Sequence, residues 1–114
     1  MTGERPPLVT VHRTPAGAIR LAVAGEVDSS TAGELADAIV RAIHREPTDE
    51  IVVDLASVTF LGCAGATAIL AGQALAGHRG VCFSTINVPA GAHRLLTLIT
   101  SVVTTVGEEV HPNR

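Results

Sequence analysis

Five histidines, two cysteines and eleven carboxylates are the groups with which this chain could do acid–base, nucleophilic or metal chemistry. Their placement argues against all three. His12, His44, His78, His93 and His111 are scattered, and none stands three to five residues from another, so no zinc-ligand set is spelled out. There is no Gly-x-Ser-x-Gly elbow and no phosphate-cradling loop ending in lysine. Gly62-x-x-Gly65 alone is too short for a dinucleotide fingerprint. Asp28 and Asp54 remain as a possible carboxylate pair. The simpler reading is that Asp28 flanks a helix start and Asp54 pairs locally near a strand end. Side-chain catalysis needs a convergent set of titratable groups. None is evident, so no catalytic residue, metal or cofactor is expected, and the protein is not expected to be an enzyme.

The elements that would position these groups follow from periodicity. Leu8 to His12 alternates apolar and polar, as a half-buried strand does. Thr14-Pro-Ala-Gly17 is a turn, and Ala18 to Val27 is a second strand with Ile19, Leu21 and Val23 on one face. So tight a connection predicts an antiparallel hairpin. Thr31-Ala-Gly-Glu34 fits a capping box, and Leu35, Ala38, Ile39, Ala42 and Ile43 recur at helical spacing up to about His44–Glu46, before Pro47. The β-branched run Ile51–Leu55 reads as a central parallel strand buried on both faces. An Ala/Leu-rich helix is expected from about Ala64 to Ala76, stopped by Gly77. Val81–Ile86 is a strand, Ala90 to about Ile99 a helix, and Val102–Val106 a last strand-like run. The order is ββαβαβα: an α/β fold with a mixed, mostly parallel sheet of four to five strands and three to four helices. One domain over residues 1–114 is expected, with 1–7 and 107–114 as frayed tails.

Composition narrows the function classes. Apolar residues make up 46% of the 114 and charged residues 17%, too apolar for a disordered chain. Phe60 and Phe83 are the only aromatics and the net charge is −3, so base stacking and phosphate-backbone binding both lack their usual groups. No nucleic-acid partner is expected. Leu55–Gly77 carries no charge and is long enough for a bilayer, but its four glycines, its hydroxyls and Gln73 argue for a buried strand running into a helix. No membrane insertion is expected. Two cysteines make no disulfide scaffold, and with no signal peptide the chain reads as cytoplasmic.

Ligands and partners of such sheets gather at the carboxyl ends of the parallel strands. Two strand-to-helix turns fall there: Asp28, Ser29, Ser30 and Thr31, and Gly62, Cys63, Ala64 and Gly65 running on to Thr67. The charge-free run is expected to leave part of the following helix exposed as a small-residue face. Together these residues form the expected partner-binding surface.

The same residues carry a family resemblance. Gly25-Glu-Val-Asp28, then Asp54-Leu-Ala-Ser-Val-Thr-Phe-Leu61, then Gly65, and later Ile86-Asn-Val-Pro89 with His93-Arg-Leu-Leu96, resemble the STAS domain and within it the stand-alone anti-sigma factor antagonists of bacteria. The resemblance runs from about Leu8 to Val106. It implies a protein that binds an anti-sigma factor, itself a serine kinase of the GHKL type, and so frees a sigma factor for transcription. In that family the kinase phosphorylates a serine at the second-helix start and so ends the binding.

This chain departs from the pattern at that place. The family's Asp-Ser-Ser-Gly aligns with Gly62-Cys63-Ala64-Gly65, so the phosphoacceptor position holds Ala64, which has no hydroxyl. The nearby hydroxyls Ser29, Ser30, Ser57 and Thr67 are not aligned with the acceptor. Cys63 has two readings at this point. In the first turn of a helix its thiolate gains from free N–H groups, which would make it a redox replacement for the switch. Alternatively it is an inert, buried substitute for serine. Two other roles compete with anti-sigma antagonism: a STAS accessory subunit on the ATPase of an ABC transporter, and a Cys63 redox-sensing binder. A monomer or weak dimer is expected.

Overall fold

The computed structural model describes residues 7–45 and 48–97. Strand β1 (Val9–Arg13) and strand β2 (Ile19–Val27) form the expected hairpin, with Val9 opposite Val23 and Arg13 opposite Ile19. Gly17 takes φ +92° in its turn and donates its N–H to Thr14 O. Helix α1 (Ala32–Arg45) leads to strand β3 (Glu50–Leu61), helix α2 (Cys63–His78) and strand β4 (Cys82–Ile86). Residues 90–97 are helical and are called α3. The sheet order is β1-β2-β3-β4, antiparallel at the first pair and parallel at the next two. The expected α/β class, element order and mixed sheet are therefore those observed. The expectations for Ile99, Val102–Val106 and residues 107–114 lie outside the described residues, as do those for residues 1–6.

Helices α1 and α2 lie together on one face of the sheet. Ile19, Leu21 and Val23 of β2, Ile51, Val53 and Leu55 of β3, Leu35 and Ile39 of α1, and Ile69 of α2 are fully buried between them. Burial of each such side chain contributes about 1.5–3 kcal/mol. All five α1 positions predicted from periodicity are buried. The expectation that β3 is buried on both faces is overturned. Val52 and Asp54 are only half-buried and Ala56 is exposed, because among the described residues no element covers the second face. The β-branched run reflects strand propensity here rather than two-sided burial.

Strand β3 is also longer than its apolar run suggests, and its inward residues are not evenly spaced. Ala22 pairs with Asp54 but Ala24 with Ser57, and Gly25 pairs with Val58 but Glu26 with Phe60. Twice, then, β3 spends two residues where β2 spends one, which is the definition of a bulge. The buried positions consequently run Ile51, Val53, Leu55, Val58, Leu61. Strict alternation from Ile51 would have turned Ser57 and Thr59 inward and Val58 outward; the first bulge brings Val58 inward, and the second returns Leu61 to the inner face.

Small residues set the depth of helix packing. A Cβ on Gly72 would lie 2.6 Å from Ile39 Cγ2, so α2 approaches α1 at a distance that excludes even a methyl group. Gly77 is not the helix stop. Helix α2 continues to His78 and closes at Gly80, φ +72°, with Val81 N–H bonded to Ala76 O and Gly80 N–H to Gly77 O. That double bond pattern is the Schellman motif, which needs its glycine two residues beyond the last helical one. Thr31 and Glu34 form no capping box either. Thr31 Oγ1 donates to Glu26 O and accepts from Asp28 N–H, while Glu34 Oε2 accepts from Leu8 N–H across to β1.

Two alanine substitutions in one helix should therefore have opposite signs. Gly72→Ala forces the fully buried Ile39 aside and should cost about 1–3 kcal/mol. Gly77→Ala meets nothing within 4 Å inside a helix and should stabilise by about 0.5–1 kcal/mol. Urea denaturation of both variants checks the contact, and a stabilised Gly72→Ala would contradict it.

Candidate functional site

The two strand-to-helix turns meet at one end of the sheet. Val27, the last residue of β2, accepts the N–H of Gly62, the residue before α2, at 2.9 Å. The contact is tight because Gly65 has no side chain: a Cβ there would lie 2.6 Å from Val27 Cγ1 and 2.7 Å from Leu61 Cδ1. The first turn of α2 is thus pressed onto the ends of β2 and β3, and the Asp28 turn, continuing from Val27, lies beside it.

The Asp28 turn is held by its own polar groups. Asp28 Oδ1 accepts from Ser30 N–H at 3.0 Å and from Ser30 Oγ at 2.7 Å, and Thr31 Oγ1 lies 3.2 Å away. Ser30's hydroxyl and N–H, with Thr31's, hold the Asp28 carboxyl below the usual aspartate range. Ser29 and Ser30 are exposed. On the other turn Cys63 and Thr67 are exposed, Gly62 and Ala64 are half-buried, and Gly65 is buried. Gly65 therefore serves the surface through packing and does not face outward. Cys63 is exposed rather than buried, and Cys63, Thr67, Ala71 and Ala74 make the exposed small-residue face that the charge-free run predicted. Gly62, at the N-cap of α2, has extended φ/ψ and supplies no side-chain cap.

One surface residue escaped the sequence reading. Phe60 is 55% exposed, and its ring edge lies 3.1 Å from where a Gly62 Cβ would sit. An aromatic this open beside a turn is a natural contact anchor. The sequence held a signal for it: alternation from Ile51, Val53 and Leu55 puts Phe60 on the opposite face of the strand. On the far side of the Asp28 turn an open groove of about 710 Å³ runs past Leu8, with Glu26, Asp28 and Glu34 on its walls.

Asp54 does not join Asp28. It stands opposite Ala22, six residues before Asp28 along β2, which separates the two by roughly 20 Å. Its carboxylate accepts from Asn87 Nδ2 at 3.0 Å, Ala56 N–H at 3.0 Å and Arg20 Nη1 at 2.9 Å on the open sheet face. The Asn87 amide and the Ala56 N–H, and then the Arg20 guanidinium, hold it below the usual aspartate range. The simpler reading of local pairing therefore stands, and the acid–base pair is excluded by distance. Cys63 and Cys82 are both free, and Cys82 pairs with the residues beside Glu50 at the opposite end of the 12-residue β3, roughly 30–35 Å away. Among the described residues no three His, Cys, Asp or Glu side chains gather to hold a metal, and no helix is long and apolar enough to cross a membrane.

Comparison with known proteins places this geometry. Residues 11–100 match the protein family described as "Mlab, STAS domain". An anti-sigma factor antagonist from Mycobacterium paratuberculosis superposes with a TM-score of 0.72 at 26% identity, over 84% of this chain and 80% of that one. The anti-sigma factor antagonist SpoIIAA in its unphosphorylated form superposes at 0.66 with 12% identity, over 78% and 81% of the two chains, a likeness of fold. Mglu shares the fold at 0.62 and 23% identity, but the 73% of this chain that aligns spans only 20% of Mglu. No curated protein matches the chain in sequence.

The two depressed carboxyls give a pH dependence with a definite sign. A carboxyl held below its unfolded value contributes stability that is complete above about 3.9 and is lost as pH falls through the depressed folded value. Asp54→Asn removes that contribution at neutral pH. The variant should have a lower Tm than the wild type at pH 7, and the gap should close as pH falls below about 4. Thermal melts from pH 7 to pH 2 measure it, and a gap that widens in acid would reverse the assignment.

Proposed function

The chain belongs to the STAS domain family, and from that membership we propose that it is a bacterial anti-sigma factor antagonist. In this reading it acts in the cytoplasm, captures an anti-sigma factor of the GHKL kinase family, and so releases a sigma factor to transcription. The observation that carries the proposal is the juxtaposition of the two turns through the Gly62–Val27 hydrogen bond, beside an uncharged exposed face on α2. The 26% identity to a mycobacterial protein of that description supports it.

The contact surface consists of Asp28, Ser29, Ser30 and Thr31 on one side and Gly62, Cys63, Ala64 and Thr67 on the other. Phe60 supplies an apolar anchor between sheet end and helix. Small residues on α2 let a partner backbone approach closely, and Thr67 lies near the centre of that face. Phosphorylation in such a place inserts a charge of about −1.5 to −2 and several acceptor oxygens into a desolvated contact. Ala64, packed partly against the core, has no oxygen to accept a phosphoryl group. In this reading, binding by this chain does not end by phosphorylation at the family position.

Two measurements test the reading. Thr67→Glu should weaken binding to the anti-sigma factor at least tenfold while leaving the far-UV circular dichroism and Tm unchanged, since Thr67 is exposed. Asp28→Arg should weaken it similarly. Binding that survives both changes removes the surface. Capture of a transporter ATPase instead of an anti-sigma factor from the native cell would favour the accessory-subunit role. Separately, incubation with the cognate kinase and ATP should leave residues 63–65 free of phosphate by mass spectrometry, and Ala64→Ser should gain it. Stoichiometric phosphate on Ser29, Ser30 or Ser57 of the wild type would mean that the switch has moved.

A further inference from the structure

The outer edge of β1 is a second surface, independent of the partner-binding turns. In the hairpin, Ala24 N–H bonds to Leu8 O and Thr14 N–H to Ala18 O, with Val9 opposite Val23. Antiparallel ladders alternate, so Leu8, Thr10 and His12 direct their backbone groups to β2, while Val9 and Val11 direct theirs outward. Among the described residues nothing pairs with that edge. Val11 is 53% exposed, a large apolar side chain on the helix-bearing side of an open strand. Natural edge strands are usually blunted by charge or proline against such pairing.

Above this edge runs a groove of about 340 Å³ between β1 and α1. Val9, Val11, Ala38 and Ala42 form its floor and Glu34, Arg41 and Arg45 its rim. The charges are ordered: the acid lies in the first turn of α1 and the bases in its third and last. Neither arginine has an ion-pair partner among the described residues. Helix α1 returns from the end of β2 to the start of the parallel β3, so it runs antiparallel to β2 and hence along β1. Glu34 sits at the Leu8 end, where it accepts the Leu8 N–H. The 11 residues from Glu34 to Arg45 rise roughly 16 Å, and the five from Leu8 to Arg13 roughly 17 Å. Strand and helix are therefore in step, and both have their midpoint near Val11.

We propose that this edge binds a second copy of the same chain about a twofold axis through Val11. Antiparallel pairing of β1 with its copy follows from the twofold and forms one eight-stranded sheet, with Val11 exchanging backbone hydrogen bonds with the partner's Val11. Both α1 helices then lie on the same face, antiparallel, on the order of 10 Å apart. The twofold carries Glu34 of each copy to Arg45 of the other, and the two grooves merge over the valines. A parallel arrangement would set acid against acid and base against base. An isologous contact of this kind closes after two copies. It leaves the two partner-binding ends pointing in opposite directions, so each can be occupied.

Sedimentation equilibrium of the full chain tests this. The expected result is a concentration-dependent species of twice the 11.7 kDa chain mass. Glu34→Arg and Arg45→Glu should each raise the dimer dissociation constant at least tenfold, since each sets like charges together twice. Mixed in equal amounts, the two variants should recover the wild-type constant, because both cross-contacts are then opposite in sign. Val11→Pro, on an outward backbone N–H, should also abolish the dimer while circular dichroism stays that of the wild type. A chain that stays monomeric up to about 1 mM, a dimer that withstands Val11→Pro, or variants that fail to recover on mixing would each overturn the proposal.

Discussion

Two extra residues in β3 govern how the end of the sheet that carries the Asp28 and Gly62 turns is put together. Parallel strands in perfect register would set Thr59 rather than Leu61 opposite Val27 and leave the end of β3 out of step with the end of β2. The bulges at Ala24/Ser57 and Glu26/Phe60 remove both problems. They turn Val58 inward, set Leu61 beside Val27 where it packs under Gly65, and bring the chain leaving β3 level with Val27 so that the Gly62 N–H finds its acceptor. Bulges are recurrent beside functional sites because they re-aim side chains without ending the ladder.

The second constraint is the absence of atoms. Gly65 against Val27 and Gly72 against Ile39 are contacts that any side chain would prevent. Between them they fix α2 along its length, onto the sheet end at one place and onto α1 at the other. Alanine is the commonest residue in the rest of α2; it packs on the inner side, at Ala66, Ala68 and Ala76, and on the outer side, at Ala71 and Ala74, it helps present an uncharged surface. The same composition thus serves closeness within the fold and the surface proposed for a partner. The polar anchoring is local by contrast: Asp28 with Ser30 and Thr31, Asp54 with Arg20 and Asn87, each a carboxylate saturated by neighbours rather than poised for chemistry.

The sequence made the topology readable because periodicity separates hairpin, helix and strand so cleanly: Leu35, Ile39 and Ile43 could only be one helix face, and Ile19, Leu21 and Val23 one strand face. The meeting of the two turns was readable for a similar reason, since turns that follow parallel strands share an end of the sheet. What escaped had a common cause. Bulges carry no marker in a β-branched segment, so the length of β3, the inward turn of Val58 and the level at which Leu61 meets Val27 were hidden. The helix stop was misplaced by three residues because Gly77 and Gly80 are equivalent on paper, and only the left-handed φ of Gly80 decides between them. Thr31 and Glu34 have capping-box spacing but spend their side chains on Glu26, Asp28 and Leu8, partners supplied by tertiary contact.

The longest strand pairing among the described residues joins segments that are far apart in the chain. Ile19 stands beside Ile51, and all of α1 lies between them. The hairpin and α1 can form from neighbouring residues, but neither buries its apolar face until β3 arrives, and closing a connection of that length costs entropy before any contact repays it. During synthesis from the N-terminus, the first 45 or so residues would therefore leave the ribosome with Leu21, Val23 and Ile39 uncovered. The chain becomes a folded object only when the segment that also brings the Asp28 and Gly62 turns together has emerged, so folding and assembly of that end of the sheet are a single late event.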